Sequence, residues 1–193
     1  MKARLAGSVV LVLWTSLLAA VTAAGSFEMT PAVQAELDKQ KTVIASWAAG
    51  PVIVNAVLEQ NRKGPIQGMD NAKWKVTRRS DPVVTGFQTN PAGQLLKAKL
   101  NESQGAVSEA FLSAAQGEKV AFVEKTTSYI HKGMAKFDVP FNAGKAWQGQ
   151  AEFDESSQTY AIQVSVPVLA DGKPVGALVV GVNLSYLEKL AKK

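Results

Sequence analysis

Few residues in this chain are equipped for covalent chemistry. There is one histidine, His131, and no cysteine. Disulfides, thiolate metal sites and cysteine nucleophiles are therefore excluded, as is any site needing two histidines, such as H-E-x-x-H zinc hydrolysis. A nucleophile–histidine–acid set could be assembled only around His131. No Gly-x-x-x-x-Gly-Lys-Ser/Thr phosphate loop occurs. Glu152, Asp154 and Glu155 gather at a turn, but the glycine-bearing spacing of an EF-hand loop is missing. Arg78-Arg79 and Lys189, Lys192 and Lys193 are basic spots without interleaved aromatics, which speaks against nucleic acid. Asn101-Glu102-Ser103 and Asn183-Leu184-Ser185 match the glycosylation acceptor, a short pattern that carries little weight. The expectation is a protein that is not an enzyme and uses no cofactor or metal.

Polar residues inside apolar strands are more informative. Tyr160 to Leu169 alternates cleanly, with Gln163 and Ser165 on one face and Tyr160, Ile162 and Val164 on the other. A glutamine and a serine in such a run must find partners or water. A ligand pocket would supply both; a solvated sheet face is the alternative. After a turn at Ala170–Lys173, Pro174 to Asn183 returns, so the two runs form a long antiparallel hairpin. Pro167 lacks an amide donor, which favours an edge or a bulge.

The elements before this hairpin change period partway. Thr30-Pro31 starts a helix, a capping residue followed by proline at the first helical position. Its apolar pattern runs through Trp47, is interrupted at Gly50-Pro51 and resumes to Leu58 before Gly64-Pro65. One long helix kinked at Pro51 and two helices in succession both fit. Shorter helices are expected around Met69–Val76 and Ala92–Leu100. Beyond Ala106 the period becomes two: Ala110–Ala114 and Lys119–Val123 flank a glycine turn and predict a first hairpin. Tyr129 to Lys145 reads as loop with a short helix, Gln148–Asp154 as a further strand and Leu184–Lys192 as a closing amphipathic helix. Helices followed by strands give an α+β domain with an antiparallel sheet.

Composition fits one globular domain: 193 residues, 47% hydrophobic and 19% charged, with a net charge of +5. At the N-terminus, Lys2 and Arg4 precede an apolar run to about Ala20 and small residues to Ser26, the three parts of a secretory signal peptide. An uncleaved anchor is the alternative. The expected division is 1–24 signal peptide and 25–193 a single domain outside the cytoplasm, in the periplasm.

Glu152-Phe153-Asp154, then Val164-Ser165-Val166-Pro167-Val168, then Val175-Gly176-Ala177-Leu178-Val179-Val180-Gly181-Val182-Asn183 resemble the closing strands of Cache domains, PAS-like extracytoplasmic sensor modules. Glu109–Val123 is similar to the family's first hairpin. The resemblance implies a long N-terminal helix packed on a five- to six-stranded antiparallel sheet. A small ligand would be enclosed on the other face under the loop between the second and third strands. Family members usually continue into a membrane helix and an output module. This sequence ends at Lys193, so the expected form is stand-alone.

The resemblance directs attention to Tyr129 and His131 in the covering loop, to Trp147 before the third strand, to Tyr160, Gln163 and Ser165, and to Lys125, which could neutralise a carboxylate. Ser128 stands where related sequences commonly carry an aspartate, which argues against an amino-acid ligand. The implied function is binding or sensing of an organic acid or similar small metabolite for signal transduction. A membrane sensor or transporter would be the partner, and two copies could pair through the long helix. The alternative is an interaction module of an envelope complex without a working pocket.

Overall fold

A computed structural model describes residues 27–155 and 158–192. The segment read as a signal peptide lies outside the described residues. Thr30 caps the first helix, α1 (Pro31–Ala48), its Oγ1 accepting from the Val33 N–H at 3.3 Å. At Gly50-Pro51 the chain turns by 61° into α2 (Pro51–Lys63), so the two-helix alternative holds. Gly50 is extended (φ −65°, ψ 140°) and Pro51 sits at the first helical position, where its missing N–H breaks no bond. No single helix among the described residues is long and apolar enough to cross a membrane.

Three short helices follow: α3 (Asn71–Val76), α4 (Pro82–Thr89) and α5 (Pro91–Glu102). Asp70, Asp81 and Asn90 cap them through side-chain oxygens. Sequence reasoning anticipated α3 and α5 but not α4, although Asp81-Pro82 is a starting signal of the same kind.

The sheet has five strands: β1 (Val107–Ala114), β2 (Lys119–Phe122), β3 (Trp147–Asp154), β4 (Thr159–Ala170) and β5 (Lys173–Asn183). Their order is β2-β1-β5-β4-β3, and every neighbouring pair is antiparallel. Between β2 and β3 lies α6 (Ala135–Ala143), and α7 (Leu184–Ala191) closes the fold. This is the α+β architecture expected. The ladder between β3 and β4 ends at Trp147–Ser165, so Pro167 lies on a stretch of β4 with edge character.

The two faces of the sheet differ. One buries Leu112, Ala121, Val164, Leu178 and Val180 against Leu37, Ile44, Ile53 and Leu96 of α1, α2 and α5, with Leu187 of α7. Each large apolar side chain removed from water here stabilises the fold by roughly 1.5–3 kcal/mol. That face is a filled core. The other face carries the polar residues.

Candidate functional site

Strand register lays the second face out as rows. Glu109, Gly181 and Gln163 form one; Phe122, Phe111, Val179, Ser165 and Trp147 the next; Lys119, Ser113, Ala177 and Pro167 a third. Gly181, Ser165 and Ala177 are small, and the large rings of Phe111 and Trp147 stand towards opposite edges of the middle row.

Lys119 reaches this face through an irregularity. Leu112 pairs with Ala121 but Ser113 pairs with Lys119, so β2 carries an extra residue, Val120. Val120 and Ala121 both enter the helix-side core. The bulge turns the lysine to the opposite side, where strict alternation would not put it.

Four buried side-chain atoms of the described residues have no hydrogen-bond partner: Ser113 Oγ, Lys119 Nζ, His131 Nδ1 and Ser165 Oγ. All belong to this one face or its cover. Buried polar atoms are nearly always paired, and orphans gathered in one place mark a surface made for something else. Lys119 is fully buried, its Nζ 3.3 Å from the Phe111 ring centroid. The His131 ring lies 4.8 Å from the same ring.

Charge is therefore expensive here. Burial drives the Lys119 pKa well below its usual value; nearby Glu109 opposes the shift and Lys136 adds to it. Burial pushes His131 down to about 2, helped by Lys119 and Lys136. A desolvated ammonium costs several kcal/mol. Its attraction to the Phe111 face returns only about 0.5–2 kcal/mol. Burial without an acceptor therefore disfavours the charged form of the amine.

A well-anchored loop holds the histidine in place. The His131 N–H donates to Gly117 O at 2.8 Å. Asn71 Oδ1 accepts from the Tyr129 and Ile130 N–H groups at 2.9 and 2.8 Å. Gly117 is required: its φ is +80°, and a Cβ there would lie 2.3 Å from Lys132 N.

The rest of the cover, α6, is less firmly fixed. It buries Phe137 and Pro140 over the sheet, but Pro140 interrupts its hydrogen bonding and no side chain caps its start. Gly133 (φ 91°) and Gly144 (φ 60°) flank it. Its polar tether is a chain across the top row. Lys136 Nζ donates to Gln163 Oε1 at 2.8 Å, and Gln163 Nε2 donates to Glu109 Oε1 at 2.6 Å across Gly181. At the β3 end the face opens into a cleft of about 250 Å³ lined by Glu109, Trp147, Glu152, Gln163 and Gly181. A larger cleft of about 550 Å³ between α2, α4 and α5 is lined by Val52, Ile66, Val83 and Phe87 and lies away from the orphaned atoms.

Of the residues named from sequence, His131, Gln163, Ser165 and Trp147 meet on or over this face. Tyr160 and Lys125 do not join them, and Tyr129 packs at the β2 end of the face. Tyr160 points to the helix side, packed on Phe27 and Phe153 with ring centroids 5.2 and 5.0 Å away, as its alternation with Gln163 requires. Tyr129 is buried in one cluster with Trp74, Phe87, Phe111, Phe122 and Val179, and its hydroxyl accepts from the Ile66 N–H at 2.9 Å. Lys125 donates to Trp74 O at 2.9 Å and is held at α3. Sequence reasoning passed over Glu109, Ser113, Lys119 and Lys136. Ser113 could have been found as a polar residue inside an apolar strand, the signal that Ser165 gave.

No family model matches the sequence, and no curated protein does. Solved structures do. The chain is similar to the sensor domain of E. coli DcuS, with a TM-score of 0.52 and 13% identity over 85% of this chain and 100% of that one. It is also similar to the sensor domain of the V. cholerae histidine kinase DctB, with a TM-score of 0.51 and 17% identity. That match covers 83% of this chain but 54% of the DctB chain, so the protein spans about half its length. The fold is that of Cache-type, PAS-like extracytoplasmic sensor domains, as the hairpin motif implied.

Proposed function

We propose that this protein is an exported, non-enzymatic domain that binds a small organic acid on the second face of its sheet and presents its ligand state to a membrane partner. The observation that carries the reading is the set of four orphaned polar atoms, one of them a lysine amine, enclosed on one face of a sensor-type fold. A carboxylate beneath α6 would give Lys119 its missing acceptor, with the Ser113 and Ser165 hydroxyls and His131 completing the site. Trp147 walls the open side. Gly133 and Gly144, both at positive φ, flank α6 and supply hinge positions for its movement. The ligand works by favouring the arrangement that closes over it. The changed outer surface of α6 is what a membrane sensor or transporter would read. Export rests on the basic and apolar pattern of residues 1–24. Pairing of two copies along α1 and α2 belongs to the same reading.

Thermal melting of the purified protein with succinate, L-malate, pyruvate, acetate, amino acids and amines tests this. A carboxylate at a hundred times its Kd should add about 2.7 kcal/mol of stability. The rise should vanish in Lys119→Met. If no carboxylate raises the melting temperature at millimolar concentration, or if Lys119→Met responds as the unsubstituted protein does, the reading is wrong.

A further inference from the structure

Lys119 poses a problem that organic-acid binding alone does not solve. Its amine is fully enclosed, lies against the Phe111 ring and has no hydrogen-bond acceptor. The groups that bear on it electrically are few. Glu109 on β1 opposes the effect of burial on Lys119, but its side-chain oxygen already accepts from Gln163. Lys136 on α6 is positive, and His131 of the covering loop is buried beside both lysines. On this face neither β4 from Ala161 to Pro167 nor β5 from Ala177 to Asn183 carries an ionisable side chain. Glu109 only partly opposes the cost of burying an ammonium at residue 119, and the amine has no hydrogen-bond acceptor in the closed face.

We propose that this face takes up its anion together with one proton: Lys119 is an uncharged amine in the empty domain and becomes an ammonium when a carboxylate arrives beside it. The balance is simple. Carboxylate, neutral amine and one proton from solvent give a carboxylate–ammonium pair, with no bond to carbon made or broken. The pair enters the buried face with no net charge, which is how an apolar-walled site accommodates an anion. By linkage, a ligand that raises the proton affinity of Lys119 must itself bind more tightly as protons become more available. The sensor would then respond to the acid together with external pH, most strongly where the surroundings are acidified. The inference rests on the organic-acid reading above.

Calorimetric titration of the unsubstituted protein with succinate, L-malate and acetate in turn, at pH 7.5 in phosphate and in Tris, measures the coupling. These buffers differ widely in ionisation heat, so uptake of about one proton per ligand appears as a large difference in apparent enthalpy. The Kd should also fall up to tenfold for each unit the pH is lowered within the range where the empty-state amine is neutral. Binding with equal enthalpy in both buffers would overturn the proton coupling and leave the organic-acid reading standing. Absence of binding by all three acids would overturn both. A nitrogen-15 titration of the Lys119 amine supplies an arm that needs no ligand. A neutral amine at pH 7.5 in the empty protein supports the coupling, and an ammonium there refutes it.

Discussion

Replacing Lys119 by methionine should make the empty protein more stable, against the usual result for a buried lysine. Methionine has nearly the same length, fills irregular space and makes favourable sulfur–aromatic contacts with a ring such as Phe111, worth about 0.3–1.5 kcal/mol. What it removes is a fully buried amine with no acceptor, against the Phe111 ring. A neutral polar group left unsatisfied costs about 1–3 kcal/mol. A second contribution depends on pH. Because burial lowers the amine's pKa in the folded state, the unfolded chain binds a proton that the folded chain refuses. Stability of the unsubstituted protein therefore rises with pH towards about 10.4, the ordinary lysine value. Lys119→Met should be at least about 1–3 kcal/mol more stable at pH 10. The gap should widen as the pH is lowered to 7. Urea unfolding across that range reads this as a higher midpoint with an unchanged slope, and in heat as roughly 2–4 °C for each kcal/mol. Had Lys119 been a charged partner in a buried pair, its removal would cost about 3–5 kcal/mol instead. A lowered midpoint would therefore refute the orphaned-amine account.

Other perturbations separate the site from its supports. His131 is held neutral, its pKa lowered from 6.5 to about 2, so only the unfolded chain takes up its proton in that window. Stability should fall as the pH drops below 6.5, by about 2 kcal/mol at pH 5 from this group, and His131→Asn should remove that part of the slope in acid unfolding curves. Gly181→Ala would place a Cβ 2.6 Å from Glu109 Cγ and 2.7 Å from Ser108 Oγ, so it should cost about 1–3 kcal/mol in urea and displace the Gln163–Glu109 bond. Gly86→Ala in α4 meets nothing within 4 Å and should instead add about 0.5–1 kcal/mol, a control for the same chemistry in open space. Tyr129→Phe leaves the Ile66 N–H without its acceptor and should cost about 1 kcal/mol while carboxylate binding is unchanged, as calorimetry would show.

This face gives up stability that apolar side chains would supply. At its β2 end the second face has an apolar cluster of Trp74, Phe111, Phe122, Tyr129 and Val179, and extending it across the sheet would make the domain firmer. Instead β1, β2 and β4 bury two serines and a lysine whose polar atoms make no hydrogen bond. On the proposed reading, a domain that binds an anion reversibly keeps such a face at the expense of its own stability.

Local pattern was enough to recognise most of the elements. Thr30-Pro31, the glycine turn near Gly117 and the clean alternation of Tyr160–Leu169 are local signals, and each acts within a few residues, as capping, turn chemistry and pleat do. The same alternation brought Gln163 and Ser165 to one face and placed Tyr160 on the other. Lys119 was decided otherwise. In the sequence it opens an apolar run and reads as a charge at the mouth of a turn. One extra residue in β2, visible only against its partner strand, rotates it into the interior. Glu109, Ser113 and Lys136 became neighbours of Gln163 and His131 through strand order and through α6 crossing the sheet, pairings between residues far apart in the chain. Periodicity reports which face a residue occupies within its own strand, whereas the meeting of faces depends on register and cover, and these exist only once the chain has folded.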